Sequence, residues 1–187
     1  MKQLRKSIKS KAQGGFTLIE FMIAAALIIA ASVVVFNMSQ ASKVASQVHA
    51  ESQALSSAAA RIKSAFNSRP NYVGLNDAFA IAAKAFPESM IDTTAGTITN
   101  TWGGAVTLGT VTVNSVANKG FTITYASVPK AQCVDLVSSM DGVFGKMVIG
   151  TTAVKDVLPG VSPAVPFDAA AVATNCTEGA TIVFTSL

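Results

Sequence analysis

The side chains of this sequence that could act on a substrate are few, and their spacing fits no catalytic group. His49 is the single histidine among 187 residues, and it falls within a helical pattern. The pair Gly103-Gly104 is not followed by Lys and Ser or Thr, so it predicts a tight turn and not a phosphate-binding loop. Asp135 and Asp141 stand six residues apart, a spacing that suits neither a metal pair nor a general acid with its base. The sequence therefore predicts a protein that is not an enzyme and that holds no metal and no cofactor.

The two cysteines, Cys133 and Cys176, both lie far from the N-terminal end of the chain. Two are too few for a zinc site made of cysteines alone, and His49 stands 84 residues before the first of them. One intramolecular disulfide is the preferred interpretation, provided that this part of the chain lies outside the cytoplasm. Two free, buried thiols are the alternative.

The N-terminal region joins a basic segment to a long apolar one. Five of the fourteen Lys and Arg residues precede Gly15, and no acidic residue stands among them. From Phe16 to Phe36 there are twenty-one residues with no Gly or Pro and with one charge, that of Glu20. A helix of that length spans a bilayer, and the basic segment would keep its N-terminal end in the cytoplasm. The other nine basic residues face ten acidic ones, so we expect no nucleic-acid binding by the folded part.

Three kinds of N-terminal segment fit this pattern. A cleaved signal peptide would end at a small-residue site such as Ser39–Ala41, and an uncleaved anchor would keep the whole segment. The third is a prepilin leader followed by a pilin helix, and it accounts for more of the residues. Gly14–Glu20 reads Gly-Gly-Phe-Thr-Leu-Ile-Glu and resembles the signature of type IV prepilins. The resemblance implies that a prepilin peptidase removes a leader of residues 1–15 by cutting after Gly15. It also implies that the new amino group of Phe16 is N-methylated.

Glu20 is an unusual residue for the middle of an apolar segment. A carboxylate there costs about 2.5–3.5 kcal/mol on insertion scales, so acids in such positions tend to be paired and functional. Cleavage after Gly15 would create a positive amino group four residues before Glu20. The resemblance implies that Glu20 neutralises the amine of a neighbouring subunit during filament assembly. The alternative is a tolerated charge that reaches the membrane interface.

The remaining sequence predicts an α+β protein, in which a long N-terminal helix packs on a mostly antiparallel β-sheet. Gly and Pro are absent from Phe16 until Pro70, and apolar or small residues recur every three or four positions. One helix of about 75 Å is predicted to run from Phe16 to about Phe66. Residues 16–36 would form the half of this helix that lies in the membrane and in the filament core. Residues 37–187 would form the amphipathic half of the helix together with one globular head. The other predicted elements are helices at Asp77–Ala85, capped by Asn76, and Val128–Met140, strands at Ala105–Val113, Gly120–Tyr125 and Thr181–Leu187, and a surface loop at Val157–Phe167.

Two later segments extend the resemblance to type IVb pilins, especially thin-pilus subunits of conjugative plasmids and enteric colonisation pili. The first is Pro87–Met90 followed by Trp102–Val106, where Trp102 is expected to anchor the core and not to form a binding platform. The second is Ala131–Leu136 with the late Cys176, which is similar to the disulfide-bounded C-terminal region of those pilins.

The sequence thus predicts the structural major subunit of a type IVb pilus, a helical homopolymer that serves adherence, aggregation or conjugative mating contact. The resemblance implies three partners: further copies of the chain, a prepilin peptidase with N-methyltransferase activity, and the inner-membrane pilus assembly machinery. The precursor is expected in the inner membrane, with its N-terminus cytoplasmic and its head periplasmic, before it enters the surface pilus. A minor pilin or type II secretion pseudopilin is one alternative. A membrane-anchored extracytoplasmic binding protein is another.

Overall fold

The structure is a computed structural model that describes the backbone of residues 17–187 and the side chains of residues 17–29 and 42–187. It divides into two compact units, residues 1–41 and Ser42–Leu187, and each is described by itself. The helices are α1 (Leu18–Phe66), α2 (Asp77–Ala82), α3 (Lys130–Ser139) and α4 (Ala169–Asn175), with a 3₁₀ turn at Glu88–Met90. The strands are β1 (Ile91–Asp92), β2 (Thr97–Thr99), β3 (Ala105–Val113), β4 (Val116–Val128), β5 (Lys146–Ile149), β6 (Thr152–Asp156) and β7 (Ala180–Ser186).

Helix α1 agrees closely with the helix that the sequence predicts. It begins at Leu18, two residues after the expected start, and its first turn is joined to Thr17 by hydrogen bonds from the amides of Glu20 and Phe21. It ends at Phe66, where the amide of Arg69 turns back to the carbonyl of that residue at 2.8 Å. Pro70 then prevents further helix, because proline disfavours the helical conformation in the residue before it.

The seven strands of the head form one antiparallel sheet with the order β1-β2-β3-β4-β7-β5-β6. Strands β3 and β4 form a hairpin whose two turn residues, Asn114 and Ser115, both have positive φ, at 49° and 63°. That geometry matches the right-handed twist of the two strands that it connects. Strand β7, the last in chain order, lies between β4 and β5 and therefore joins two groups of strands that are distant in sequence.

One hydrophobic core fills the head between the sheet and the helices. On the sheet, alternate residues of β4 point inward, and Phe121, Ile123 and Tyr125 are completely buried. From α1, a stripe of buried residues at helical spacing joins the same cluster: Leu55, Ala58, Ala59, Ile62 and Phe66. The α+β architecture predicted from the sequence is thus the architecture of the head.

Several predicted elements have different bounds in the structure. The second helix ends at Ala82 and not at Ala85, although Asn76 caps it as expected by accepting the amide of Phe79 at 2.8 Å. Helix α3 starts after Pro129, which occupies its N-cap position. Strand β4 extends beyond Gly120–Tyr125 in both directions. The elements β1, β2, β5, β6 and α4 were not predicted. The four strands have two to five residues, too few to show a clear alternation, and α4 has only about two turns.

The C-terminal part of the head is held by one covalent bond and by backbone hydrogen bonds. The sulfur atoms of Cys133 in α3 and Cys176 at the end of α4 form a disulfide, with their Cα atoms 5.7 Å apart. The predicted surface loop is free of helix and strand, and it is ordered by a reciprocal pair of hydrogen bonds between Asp156 and Val165. Asp168 closes the loop by capping α4 with its side chain.

Removing the disulfide should destabilise the head. The two cysteines are 43 residues apart, and closing a loop of that length in the unfolded chain is worth about 4 kcal/mol in the chain-entropy model. We expect Cys133→Ser/Cys176→Ser to lower the free energy of unfolding by about 2–4 kcal/mol, measured by urea denaturation. The wild-type chain under a strong reductant is the matched control and should lose a similar amount. A loss below about 1 kcal/mol in both samples would contradict the role given to this bond.

Candidate functional site

The first described segment of α1 exposes apolar side chains. Eight large apolar residues of this segment are between 58% and 80% exposed: Leu18, Ile19, Phe21, Met22, Ile23, Leu27, Ile28 and Ile29. Apolar surface of this extent marks a site of contact with a membrane or with other protein. The segment therefore has the chemistry of an assembly surface.

Glu20 lies in the first turn of α1, within this apolar surface, and its side chain is exposed. It is the one charged residue of residues 17–29. A carboxylate at the N-terminal end of a helix is favoured by the partial positive charge of the free amides there. The two residues of the predicted processing site, Gly15 and Phe16, lie outside the described residues, so their predicted roles, like the assembly role of Glu20, stay predictions.

The predicted membrane span, residues 16–36, lies only partly within the residues whose side chains the structure describes. Among residues 17–29 and 42–187, no helix is both long and apolar enough to cross a membrane. The side chains of residues 30–36 lie outside that range.

In the head, Glu51 of α1 is a buried acid at a position that the sequence pattern would assign to an apolar residue. It is 2% exposed, and its Oε1 accepts the amide of Thr101 at 2.6 Å. This bond attaches α1 to the turn between β2 and β3. The spacing of the sequence already indicates this burial. Glu51 stands three residues after Val48 and four before Leu55, on the stripe of α1 that faces the core.

The turn between β2 and β3 is organised by the side chain of Asn100. Its Oδ1 accepts the amides of Trp102 and Gly104, and its Nδ2 donates to the carbonyl of Ala126 on β4. A Cβ at position 104 would lie 1.8 Å from that carbonyl oxygen, so the turn requires glycine there. Position 103 has a φ of 79°, which also favours glycine. The predicted tight turn is confirmed, and Trp102 packs half-buried against the core as expected.

Near this turn, three buried polar atoms lack a hydrogen-bond partner among the described residues: Glu51 Oε2, Trp102 Nε1 and Tyr125 Oη. Burial raises the pKa of Tyr125 well above its usual value of 10.0, and the negative charge of Glu51 raises it further. The geometry of this pair falls short of a hydrogen bond. Glu51 therefore acts on Tyr125 as a nearby negative charge and not as a hydrogen-bond acceptor.

The remaining candidates of the sequence have ordinary structural roles. His49 is exposed and contacts Gln53, with 3.0 Å between the two Nε2 atoms. Asp141 pairs with Lys155 at 2.8 Å, and Asp135 is exposed on α3. Within the described part of the chain, no three His, Cys, Asp or Glu residues converge as a metal site would require.

This arrangement defines a class of protein, in which one helix has an exposed apolar segment, suited to contact a membrane or other subunits, and a second segment buried in an α+β head. The family model described as PilS N terminal matches residues 45–187. The chain therefore belongs to the PilS family of type IV pilins.

Individual relatives agree with this assignment. The chain is 30% identical over 135 residues to a protein of Escherichia coli O127:H6 (strain E2348/69 / EPEC) named "Major structural subunit of bundle-forming pilus". The match covers 71% of this chain and 68% of the relative, and a relative of the same name from Escherichia coli O111:H- matches equally.

Two solved structures show the same fold. The type IV pilin TcpA from Vibrio cholerae El Tor biotype superposes with a TM-score of 0.58 at 18% identity, over 76% of this chain and 99% of that one. A type IV b pilin from Salmonella typhi superposes with a TM-score of 0.53 at 20% identity, over 75% of this chain and 97% of that one.

The buried hydroxyl of Tyr125 predicts how the stability of the head depends on pH. The folded state binds this proton more tightly than the unfolded state, so the contribution of Tyr125 to the free energy of unfolding should be constant below about pH 10 and fall above it. Tyr125→Phe should remove much of that fall. At pH 7 it should change stability by less than about 1 kcal/mol, because the lost hydroxyl has no partner of good geometry.

The matched control is Tyr72→Phe, which removes the other tyrosine of the chain. Tyr72 is less buried, and the fall above pH 10 should persist in this variant. Urea denaturation between pH 7 and pH 11 measures both. Equal alkaline behaviour of the two variants would contradict the assignment to Tyr125.

Proposed function

We propose that this chain is the major subunit of a type IVb pilus. Its precursor enters the inner membrane with a cytoplasmic N-terminus and a periplasmic head. The prepilin peptidase removes residues 1–15 and methylates Phe16, and the inner-membrane assembly machinery then adds the subunit to a homopolymer that extends from the cell surface.

The observation that carries this proposal is the exposed apolar segment of α1 with one carboxylate in it. Eight large apolar side chains and Glu20 share the first described turns of the helix. A soluble monomer would expose them to water at a cost of about 25 cal/mol per Å². A filament removes this cost, because the helices of many subunits bury these surfaces against each other.

Glu20 gains a partner in the same assembly. The amine of a neighbouring Phe16 supplies the positive charge that a carboxylate in an apolar environment needs. An opposite charge in such surroundings interacts strongly at short range, so the pair favours one axial stagger between subunits over others.

The major-subunit assignment rests on the relatives, since both curated relatives carry the name of a major structural subunit. Minor pilins and pseudopilins share the same N-terminal chemistry, so that chemistry does not separate them from a major subunit. The abundance of the protein in the filament does. A major subunit should dominate the protein sheared from the cell surface, and long filaments should be visible there by electron microscopy.

The processing step predicts a defined mature protein. Cleavage after Gly15 leaves 187 − 15 = 172 residues, beginning with an N-methylated Phe16. Intact-mass measurement of the subunit from sheared filaments should give that mass with one added methyl group. Gly15→Ala should leave the precursor uncut in the membrane, whereas Gly14→Ala serves as the control one residue away. A mature chain that starts at Met1 or at Ser42 would contradict the proposal.

The assembly role of Glu20 predicts a separation of two steps. Glu20→Val and Glu20→Gln should leave membrane insertion and cleavage intact, since each removes a charge that opposes insertion. Filament yield, measured by shearing and immunoblot, should fall at least about tenfold in both. Glu88→Val, which removes an exposed head carboxylate, is the control and should form filaments normally. Normal piliation in the Glu20 variants would show that the carboxylate is incidental.

A further inference from the structure

A concave pocket of about 290 Å³ lies in the head where four parts of the chain meet. Lys63 comes from the last turn of α1, Arg69 and Tyr72 from the chain that follows it, Lys119 from the start of β4, and Leu187 from the residue after β7. Lys119 is distant in sequence from Lys63 and Arg69, and nothing in the sequence predicts that it joins them.

The walls of the pocket are fixed to the core of the head. The amide of Tyr72 donates to the carbonyl of Asn118 at 2.8 Å, which holds the neighbouring Lys119 beside the chain after α1. The ring of Tyr72 packs between Phe66 and Phe121, at centroid distances of 5.3 and 4.9 Å. The guanidinium carbon of Arg69 lies 5.3 Å from the centre of the Phe66 ring. The backbone beside Lys119 and the chain that carries Arg69 are therefore held in place by a hydrogen bond and by ring packing.

The charge of the pocket lining is positive on balance. Three cations and no Asp or Glu line it, so the one negative group that the lining supplies is the terminal carboxylate of Leu187. Among the described residues, Lys63, Arg69 and Lys119 form no ion pair with that carboxylate or with any other. Three other lysines of the head are paired with carboxylates: Lys84, Lys146 and Lys155.

This concentration of positive charge runs against the balance of the whole head. In Ser42–Leu187 the side chains of Lys, Arg, Asp and Glu sum to 9 − 9 = 0. The free carbonyls at the end of α1 carry only about half a negative charge, so they offset a small part of three cations. Neutral donors complete the lining: the amides of Asn67 and Asn71 and the hydroxyl of Tyr72. Burial raises the pKa of Tyr72, so its hydroxyl keeps its proton at neutral pH and can donate.

We propose that this pocket binds a sulfate or phosphate ester group of a ligand outside the cell. A tetrahedral oxyanion accepts hydrogen bonds from several directions, which suits three cations and three neutral donors around one concavity. The volume holds one such group with part of its carrier. The site belongs to the head alone, so it does not depend on the polymerisation proposed above. If the subunit does polymerise, each copy adds one site, and the filament binds a surface bearing such groups with high avidity.

The first experiment titrates the full chain in a nonionic detergent at low ionic strength. Sodium sulfate, sodium phosphate and glucose 6-sulfate are the probes, with sodium chloride at equal ionic strength and unsulfated glucose as controls. Amide shifts of Tyr72 and Lys119 in NMR spectra report binding. We expect saturable shifts from the three probes, with a Kd of about 1 mM or tighter. Shifts that follow ionic strength, or that chloride reproduces, would overturn the proposal. Saturation by the free ions but not by glucose 6-sulfate would reduce the site to an adventitious ion only and would overturn the ester ligand.

The second experiment uses variants. Arg69→Gln and Lys119→Glu should each weaken binding at least about tenfold, because each removes a charge-assisted hydrogen bond. Lys84→Gln, which removes an equal charge at an exposed site elsewhere, should stay within about twofold of wild type. Lys119 is exposed, so its substitution leaves the fold intact even if that of Arg69 does not. Equal weakening in the Lys84 variant would show a general charge effect and would overturn the pocket as the site.

Discussion

The packing of one stripe of α1 against the sheet is the interaction on which the head depends. Leu55, Ile62 and Phe66 are at most 4% exposed, and each such side chain contributes about 1.5–3 kcal/mol on burial. Ala58 and Ala59 lie in the same stripe and are also buried, and their small side chains let the helix backbone lie close to its neighbours there. Because this stripe begins only after the apolar exposed segment, the sequence of one helix is divided between two environments.

The acid in this stripe shows what the packing must accommodate. Glu51 is buried in this stripe, and its one good hydrogen bond is to the amide of Thr101. The turn that supplies this amide is ordered by Asn100 and requires Gly104 against the carbonyl of Ala126. A polar group on the helix, a side-chain amide and a missing Cβ therefore depend on one another. Such coupled polar contacts specify one arrangement of helix and sheet more sharply than apolar packing alone.

The sequence predicted the features whose signals are local. The absence of Gly and Pro before Pro70 predicted α1, the Val and Thr alternation of Ala105–Val113 predicted β3 at its observed bounds, and Asn76 predicted a cap. The hairpin of β5 and β6 was not predicted, because strands of four and five residues with charged ends give a weak pattern. The convergence of Lys63, Arg69 and Lys119 could not be predicted either, since it depends on a hydrogen bond between residues 72 and 118.

The central place of β7 has a consequence for folding. The strands β1–β4 and β5–β6 precede it in the chain, and each group presents an edge that pairs with Ala180–Ser186. The sheet is thus completed by the last of its strands in chain order, and a head without this strand retains two unpaired edges. Unpaired edges invite aggregation and proteolysis. The topology therefore makes both groups of strands depend on β7, because without it neither group has a partner for its inner edge.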